Sequence, residues 1–281
     1  MGIGIAYPRD EYQTMYTNVC RLSDYRDGCG WPRKPKDVDL GKLETIRYSI
    51  KSMYTVGKGW LGIGLNYLFI KPMQTMRLLP PPTTTTQEKD HWTIAEYRHN
   101  ELLFLSLKDK KSHRRFGVAN YHMPCAYRTP MVMTLHADMA IQRVQQLSQE
   151  NPFIFAGDFN IVPHSAIYHF MTTGETNKLH DENAFPTSKY GMEFQSSIKQ
   201  GVYSAYKAKL GKEPDFTNYS RVKEDDAFID TIDYIFLSKR EDWDVVDVKR
   251  TPNRGDVKDV PLPNEMEPSD HILISADLQF K

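Results

Sequence analysis

Polar residues of the types that handle a phosphoryl group stand beside apolar runs at several places in this chain. The stretch Asn151-Pro-Phe-Ile-Phe-Ala-Gly-Asp-Phe-Asn160 reads as a short buried strand, Phe153 to Ala156, ending in Gly-Asp-Phe-Asn. Asp158 and Asn160 are two apart, so an extended backbone sends both side chains to the same face. A carboxylate and a neutral amide then stand side by side. The amide can hold a phosphate oxygen or a water, and the carboxylate can take a proton or face a cation. Ile229-Asp-Thr-Ile-Asp-Tyr-Ile-Phe236 reads as one strand with Asp233 in its middle. A carboxylate there is costly unless paired; a salt bridge at a sheet edge is the competing reading. Ser269-Asp270-His271 stands just before Ile272-Leu-Ile-Ser-Ala-Asp-Leu-Gln-Phe280, expected to be the last strand.

Taken together, these residues suit one chemistry. Cleaving a phosphodiester needs an in-line nucleophile, neutralisation of charge on the phosphoryl oxygens and help for the leaving oxygen. Carboxylates holding Mg²⁺ supply the second, since this hard ion takes oxygen ligands and keeps several waters. An imidazole backed by a buried carboxylate can contact or protonate the phosphate.

The elements that must position these groups follow from periodicity. Gly4-Ile-Ala-Tyr-Pro suggests a strand over Ile3–Tyr7, ended by Pro8. Leu40, Leu43, Ile46, Ile50 and Met53 recur at helical spacing. Pro80-Pro-Pro followed by four threonines is a low-complexity linker, and residues at about 28–90 read as an insertion in a single domain spanning 1–281. Leu102–Leu107 and Phe116–His122 read as strands; on the second, Phe116, Val118, Asn120 and His122 share a face that is apolar at its start and polar at its end. Thr129-Pro130 starts a helix with Met133, Ala137, Ile141, Val144 and Leu147 as its buried stripe. Pro163 starts the next helix and Gly174 ends it. Strands alternating with helices, with polar residues at strand ends, give an α/β layered domain with its site on one rim.

Charge and cysteine content narrow the class further. Lys plus Arg equals Asp plus Glu at 36 each, so bulk charge offers no argument for nucleic acid. Cys20, Cys29 and Cys125 leave one thiol over in any pairing and lack zinc-site spacing, which fits a reducing, intracellular compartment. The most apolar stretch, Trp60–Ile70, is shorter than the roughly 20 residues needed to span a bilayer.

The ordered set Asn120-Tyr-His122, Gly157-Asp-Phe-Asn160, Ile232-Asp-Tyr-Ile-Phe236 and Ser269-Asp-His271 resembles the endonuclease/exonuclease/phosphatase superfamily. Glu213-Pro-Asp-Phe-Thr-Asn-Tyr219, Phe228 five before Asp233, and Glu267-Pro-Ser-Asp-His271 make it most similar to the deadenylase branch of CCR4, nocturnin and Angel. The likeness covers roughly residues 92–281. It implies a four-layer α/β sandwich of two packed mixed β-sheets flanked by helices. It implies a Mg²⁺-dependent phosphodiesterase, with Mn²⁺ as the alternative ion, acting as a 3′–5′ exoribonuclease on RNA or a nucleotide phosphate. Asp158 is implied to orient or activate the attacking water, and Asn160 to hold that water and a phosphate oxygen. Asp233 pairs with His271, which faces the scissile phosphate, and Asp270 joins Asp158 at the metal. His122 and Asn120 line the pocket beside the phosphate. Asn218 belongs with the substrate-binding residues, and Phe228 stacks on a base, core packing being its other reading. The family's base-side proline has Pro124 and Pro130 as candidates.

One departure shapes the remaining expectations. The family opens with an Asn-bearing strand, then a helix, then an apolar strand ending in Gln-Glu, whose Glu is the principal metal ligand. Gly2–Tyr7 resembles the family's segment immediately after that strand, so the first strands are expected to be missing. Gln87-Glu88 and Gln149-Glu150 do not cap apolar strands and are rejected as that ligand. A phosphatase on nucleotide or sugar phosphates, and an inactive relative that binds RNA or protein, stand as alternatives. A cytoplasmic or nuclear monomer is expected.

Overall fold

The computed structural model describes residues 2–24, 91–176, 185, 196, 198, 200–221, 227–238, 241–257, 261–265 and 267–281. The described elements lie in one compact unit, Met1–Arg33, His91–Thr187 and Glu193–Lys281. The insertion expected at about 28–90, its helix, the threonine-rich linker and the apolar stretch Trp60–Ile70 fall outside the described residues.

A six-stranded mixed sheet organises the unit, in the order β1 (Tyr12–Arg21), β2 (Glu101–Asp109), β3 (Arg115–Tyr121), β4 (Phe153–Asp158), β8 (Asp233–Leu237), β5 (Tyr203–Ser204). Only β3 and β4 run parallel, and α2 (Pro130–Ser148) makes the crossover between them. Alternation along each strand decides the two faces. Phe104, Ala119, Tyr121, Phe155, Tyr234 and Phe236 turn to the core that holds α2 and α3 (Ala166–Thr173). Leu105, Leu107, Phe116, Val118, Ile154 and Ile235 turn the other way, onto the antiparallel pair β9 (Trp243–Val248) and β10 (Ala276–Phe280). Trp243 and Phe280 stack at 4.5 Å there, with Phe116 edge-on to both. The fold is thus the expected mixed α/β sandwich. Among the described residues its second β layer consists of this ladder and a separate hairpin-like pair, β6 (Asn218–Ser220) with β7 (Phe228–Asp230). The other α-helices among the described residues, α1 (His91–Glu96) and α4 (Ala205–Leu210), are short.

Local chemistry explains where elements begin and stop. Ser165 accepts from the backbone of Tyr168 as N-cap of α3, so the helix starts at Ala166 and not at Pro163. Gly174 closes it in the left-handed conformation, as expected. Helix α2 has Pro130 in its first turn, and Met133, Ala137, Ile141 and Val144 are buried; Thr129, however, makes no side-chain cap bond. The strand expected over Ile3–Tyr7 is not one. Residues 2–8 make no ladder, although Ile5 and Tyr7 pack onto the Trp243 core, and the edge strand is Tyr12–Arg21 instead. The strand expected over 229–236 is two strands, β7 and β8. At the break, Ile232 N donates to the Thr217 hydroxyl and Ile232 O accepts from Phe159 N, so neither group is left for a ladder. The last strand begins at Ala276, not Ile272, because Ile272 N is taken by Thr217 O and Ser275 N by the Tyr206 hydroxyl.

Candidate active site

The ends of β3, β4 and β8 meet on one rim, and parity brings their polar tips together. Ile154, Ala156 and Asp158 share a face of β4, and Asp158 lies directly opposite Asp233 across the antiparallel β4–β8 pair. Asn120 is level with Ala156 on the neighbouring strand. These tips therefore crown the apolar layer between the sheet and the β9–β10 ladder.

Gly157 makes this approach feasible. Its φ is 148°, and a Cβ there would stand 2.0 Å from the Tyr121 carbonyl oxygen. With no side chain in the way, Met123 N reaches Asp158 O at 2.8 Å. His122 Nε2 then lies 3.3 Å from Asp158 Oδ2. The backbone of His122 is fixed from behind by Asn100, whose amide donates to its carbonyl at 2.8 Å.

Strand β4 stops at Asp158, and Asn160 takes a left-handed φ of 51°. Its backbone N–H donates to Asp158 Oδ1 at 2.9 Å and its side-chain amide to Met123 O at 2.9 Å. The same-face argument therefore fails at Asn160: a turn, not a continued strand, keeps it beside Asp158. Asn160 is a clamp between the loops after β3 and β4.

His271 arrives by its backbone. Asn218 and His271 form an isolated antiparallel bridge, flanked by bonds from Tyr219 N to Asp270 O and from Ile272 N to Thr217 O. His271 Nδ1 then bonds Asp233 Oδ2 at 2.9 Å. Donor atoms of Asp158, Asp233 and His271 all lie within 4.8 Å of one another. Asp270 is not in that cluster; its Oδ2 faces the Asn218 amide at 3.4 Å. The Asn120 amide donates to Gly4 O at 2.8 Å. Phe228 is 44% exposed on β7, which removes the core-packing reading of its ring. Gln149-Glu150 sits before the start of β4, roughly 16 Å of strand away from Asp158 at its end; Gln87-Glu88 lies outside the described residues.

The charges are set by this crowding. Burial raises the Asp158 carboxyl above its ordinary range and the facing Asp233 raises it further, against the Asn160 N–H, His122 and His271. The hydrogen bond to Asp233 raises His271 against its own burial. A carboxyl that holds its proton more tightly thus stands beside an imidazole that favours its charged form. With Nδ1 bonded to Asp233, the other ring nitrogen of His271, Nε2, remains for a ligand.

Two residues of this arrangement carry no role in the sequence reading. Thr217 donates from its hydroxyl to Asp233 Oδ2 at 2.7 Å, and its only sequence signal is its place inside Glu213–Tyr219. Asn100 has no local signal, since its partner is the backbone carbonyl of His122, just past the end of β3.

The family model for "Endonuclease/Exonuclease/phosphatase family" matches residues 23–271. The 2′,5′-phosphodiesterase 12 of Mus musculus is 29% identical over 175 residues, 60% of this chain and 27% of that protein. Carbon catabolite repressor protein 4 homolog 4 of Arabidopsis thaliana is 32% identical over 299 residues, 97% of this chain and 65% of the relative. The chain spans only about a quarter of the length of the phosphodiesterase 12 proteins it matches. Among solved structures, ANGEL2, a 2′,3′-cyclic phosphatase, in complex with adenosine-2′,3′-vanadate has a TM-score of 0.51 at 22% identity, over 66% of this chain and 62% of that one. An endonuclease/exonuclease/phosphatase from Bacteroides vulgatus has a TM-score of 0.50 at 16% identity, over 98% and 69%. At these identities the likeness is one of fold.

Proposed function

The chain belongs to the endonuclease/exonuclease/phosphatase family, and on that premise we propose that it hydrolyses phosphodiester bonds at RNA 3′ ends with the help of a divalent cation. The observation that carries the reading is the convergence of Asp158 with the Asp233–His271 pair, donor atoms within 4.8 Å, at the tips of two adjacent strands.

In this reading Asp158 takes the proton of the attacking water, with Asn160 and His122 holding its carboxylate in place. His271 keeps its Nδ1 proton on Asp233 and presents Nε2 to the phosphate, where a charged imidazole favours the developing negative charge. Phe228 offers an exposed ring for a base; stacking of this kind is worth about 1–3 kcal/mol and tolerates sequence.

The donor set suits a hard divalent ion. Asp158 and Asp233 face each other as like charges, which a cation would relieve, and carboxylate oxygens are what Mg²⁺ or Mn²⁺ prefers. Asp158 and Asp270 are the residues proposed to hold it, as the family resemblance implies; Asp270 stands outside the Asp158–Asp233–His271 cluster, and Asp233 is engaged by His271 and Thr217. Such an ion would neutralise charge on the phosphoryl oxygens.

Release of AMP from poly(A) with Mg²⁺, abolished by chelation and by Asp158→Ala, is the expected result. The name 2′,5′-phosphodiesterase 12 on a relative at 29% identity makes an RNA with 2′,5′ linkages the second substrate to assay. No metal-dependent cleavage of either linkage by the purified chain would overturn the proposal in favour of a binding role.

A further inference from the structure

Thr217 is buried without exposure, and every polar atom it owns is used. Its N–H donates to Asp230 O at 3.0 Å, and its carbonyl accepts from Ile272 N at 2.7 Å. Its hydroxyl oxygen accepts from Ile232 N and Asp233 N, both at 3.0 Å. A hydroxyl has one proton and two lone pairs. With both lone pairs facing backbone donors, its single proton is aimed at Asp233 Oδ2, 2.7 Å away. That is the same oxygen that accepts from His271 Nδ1 at 2.9 Å.

This arrangement answers a question the Asp233–His271 pair leaves open. A carboxylate can turn about its last torsion, which is broad for Asp, and an imidazole can carry its proton on either nitrogen. The bond puts the ring proton on Nδ1 only while the carboxylate faces the ring, and by itself it does not hold the carboxylate there. The Thr217 proton holds one carboxylate oxygen in place, while the Thr217 carbonyl holds the residue after His271. Both partners are thus registered against a single side chain and its own peptide.

We propose that Thr217 is a positioning residue of the site, whose hydroxyl sets the rotation of the Asp233 carboxylate and so keeps the His271 Nδ1 proton on Asp233 with Nε2 turned to the substrate, in the charged ring and, when the ring is neutral, as the Nδ1–H tautomer. The inference deepens the phosphodiesterase reading in its kinetic consequence. Its structural content concerns only Thr217, Asp233 and His271, and is tested without substrate.

The test uses the full chain, ¹⁵N-labelled, at one fixed pH at which the His271 ring is neutral, with Thr217→Val and Thr217→Ser. Valine keeps the branched shape and loses the hydroxyl; serine keeps the hydroxyl and loses the methyl. The His271 Nδ1–H resonance should be present in the unmutated protein and in Thr217→Ser. In Thr217→Val it should be lost, or the two ring nitrogens should move toward averaged shifts. On poly(A), Thr217→Val should lower kcat by about 10- to 100-fold with KM near the unmutated value, and Thr217→Ser should restore it. A role in packing alone would not move the tautomer of a folded protein or be rescued by the smaller serine. A Thr217→Val protein with an unchanged His271 tautomer and kcat overturns the proposal. Where valine prevents folding, the unmutated protein decides. The Thr217 hydroxyl proton and the His271 Nδ1 proton point at one oxygen, so they should lie within about 3 Å and give a nuclear Overhauser cross-peak. Its absence, with both protons assigned, overturns the proposal. If the chain proves inactive while this cross-peak and the tautomer shift are found, the phosphodiesterase reading fails and the role of Thr217 stands.

Discussion

Asp158 and Asp233 are direct cross-strand partners, the last residue of one strand and the first of its antiparallel neighbour. Opposed like charges at such a position destabilise a sheet. Each is offset separately: Asp233 by His271 and Thr217, Asp158 by His122 and the Asn160 N–H. The pair is therefore a place where folding energy is given up for local chemistry.

That trade predicts opposite effects of one substitution. Asp158→Asn removes the repulsion and the burial of a charge while keeping the shape, so thermal unfolding should occur at the same or a higher temperature. Cleavage should fall by about 10²- to 10⁴-fold, the range of a lost general base. Calorimetry and a single-turnover assay on one preparation check both signs; a large drop in stability would contradict the account.

The pH profile of kcat/KM should be bell-shaped. Asp158 must be ionised to accept a proton, so activity is lost as pH falls through its pKa, which burial and Asp233 raise in the metal-free chain and a cation held on Asp158 would lower. His271 must be charged, so activity is lost as pH rises through a pKa held above 6.5 by Asp233. Asp233→Asn removes that support and should move the alkaline limb to lower pH. An alkaline limb that does not move would count against the Asp233–His271 assignment.

Gly157→Ala should destabilise by about 3 kcal/mol or more, because φ of 148° and a Cβ 2.0 Å from the Tyr121 carbonyl cannot both be accommodated. Denaturant titration measures this. The substitution should also separate His122 from Asp158 and lower activity in any protein that remains folded.

Two buried groups on α2 should give stability opposite pH dependences. His136 accepts from the Tyr121 hydroxyl at Nδ1 and donates from Nε2 to Ala95 O; burial lowers its pKa to about 4. Its folded value lies below the unfolded one, so about 3 kcal/mol is lost as pH falls from 6.5 to 4. Burial raises Asp138 to about 7 against its bonds from Ser196 and Gln142. For this acid the folded value lies above the unfolded one, so about 4 kcal/mol is regained as pH falls from 7 to below 4. In urea titrations at pH 7, 5.5 and 4, His136→Leu should lack the acid loss and Asp138→Asn should lack the acid gain.

The residue types of the site and much of the fold were legible because they are written locally. Alternation along β3 and β4 marks two faces, the stripe on α2 marks its buried side, and Gly-Asp-Phe-Asn and Ser-Asp-His place polar groups at strand tips. Where a residue's partner lies far along the chain, local reading fails. Asn160 was expected to follow Asp158 on an extended strand, but its amide closes on Met123 and turns the backbone. The strands expected at 229–236 and from 272 are cut short because Thr217 takes their backbone groups.

The sequence by itself determined which chemistry these side chains could perform and which face of β3 and β4 Asn120 and Asp158 occupy, since both depend on residue type and a two-residue period. Only the tertiary structure decided that Asp158 stands opposite Asp233, that one oxygen of Asp233 serves both Thr217 and His271, and that Asn120 is held by Gly4. Register between strands distant in the chain comes from packing both faces of the sheet at once, and no short window of residues contains that information.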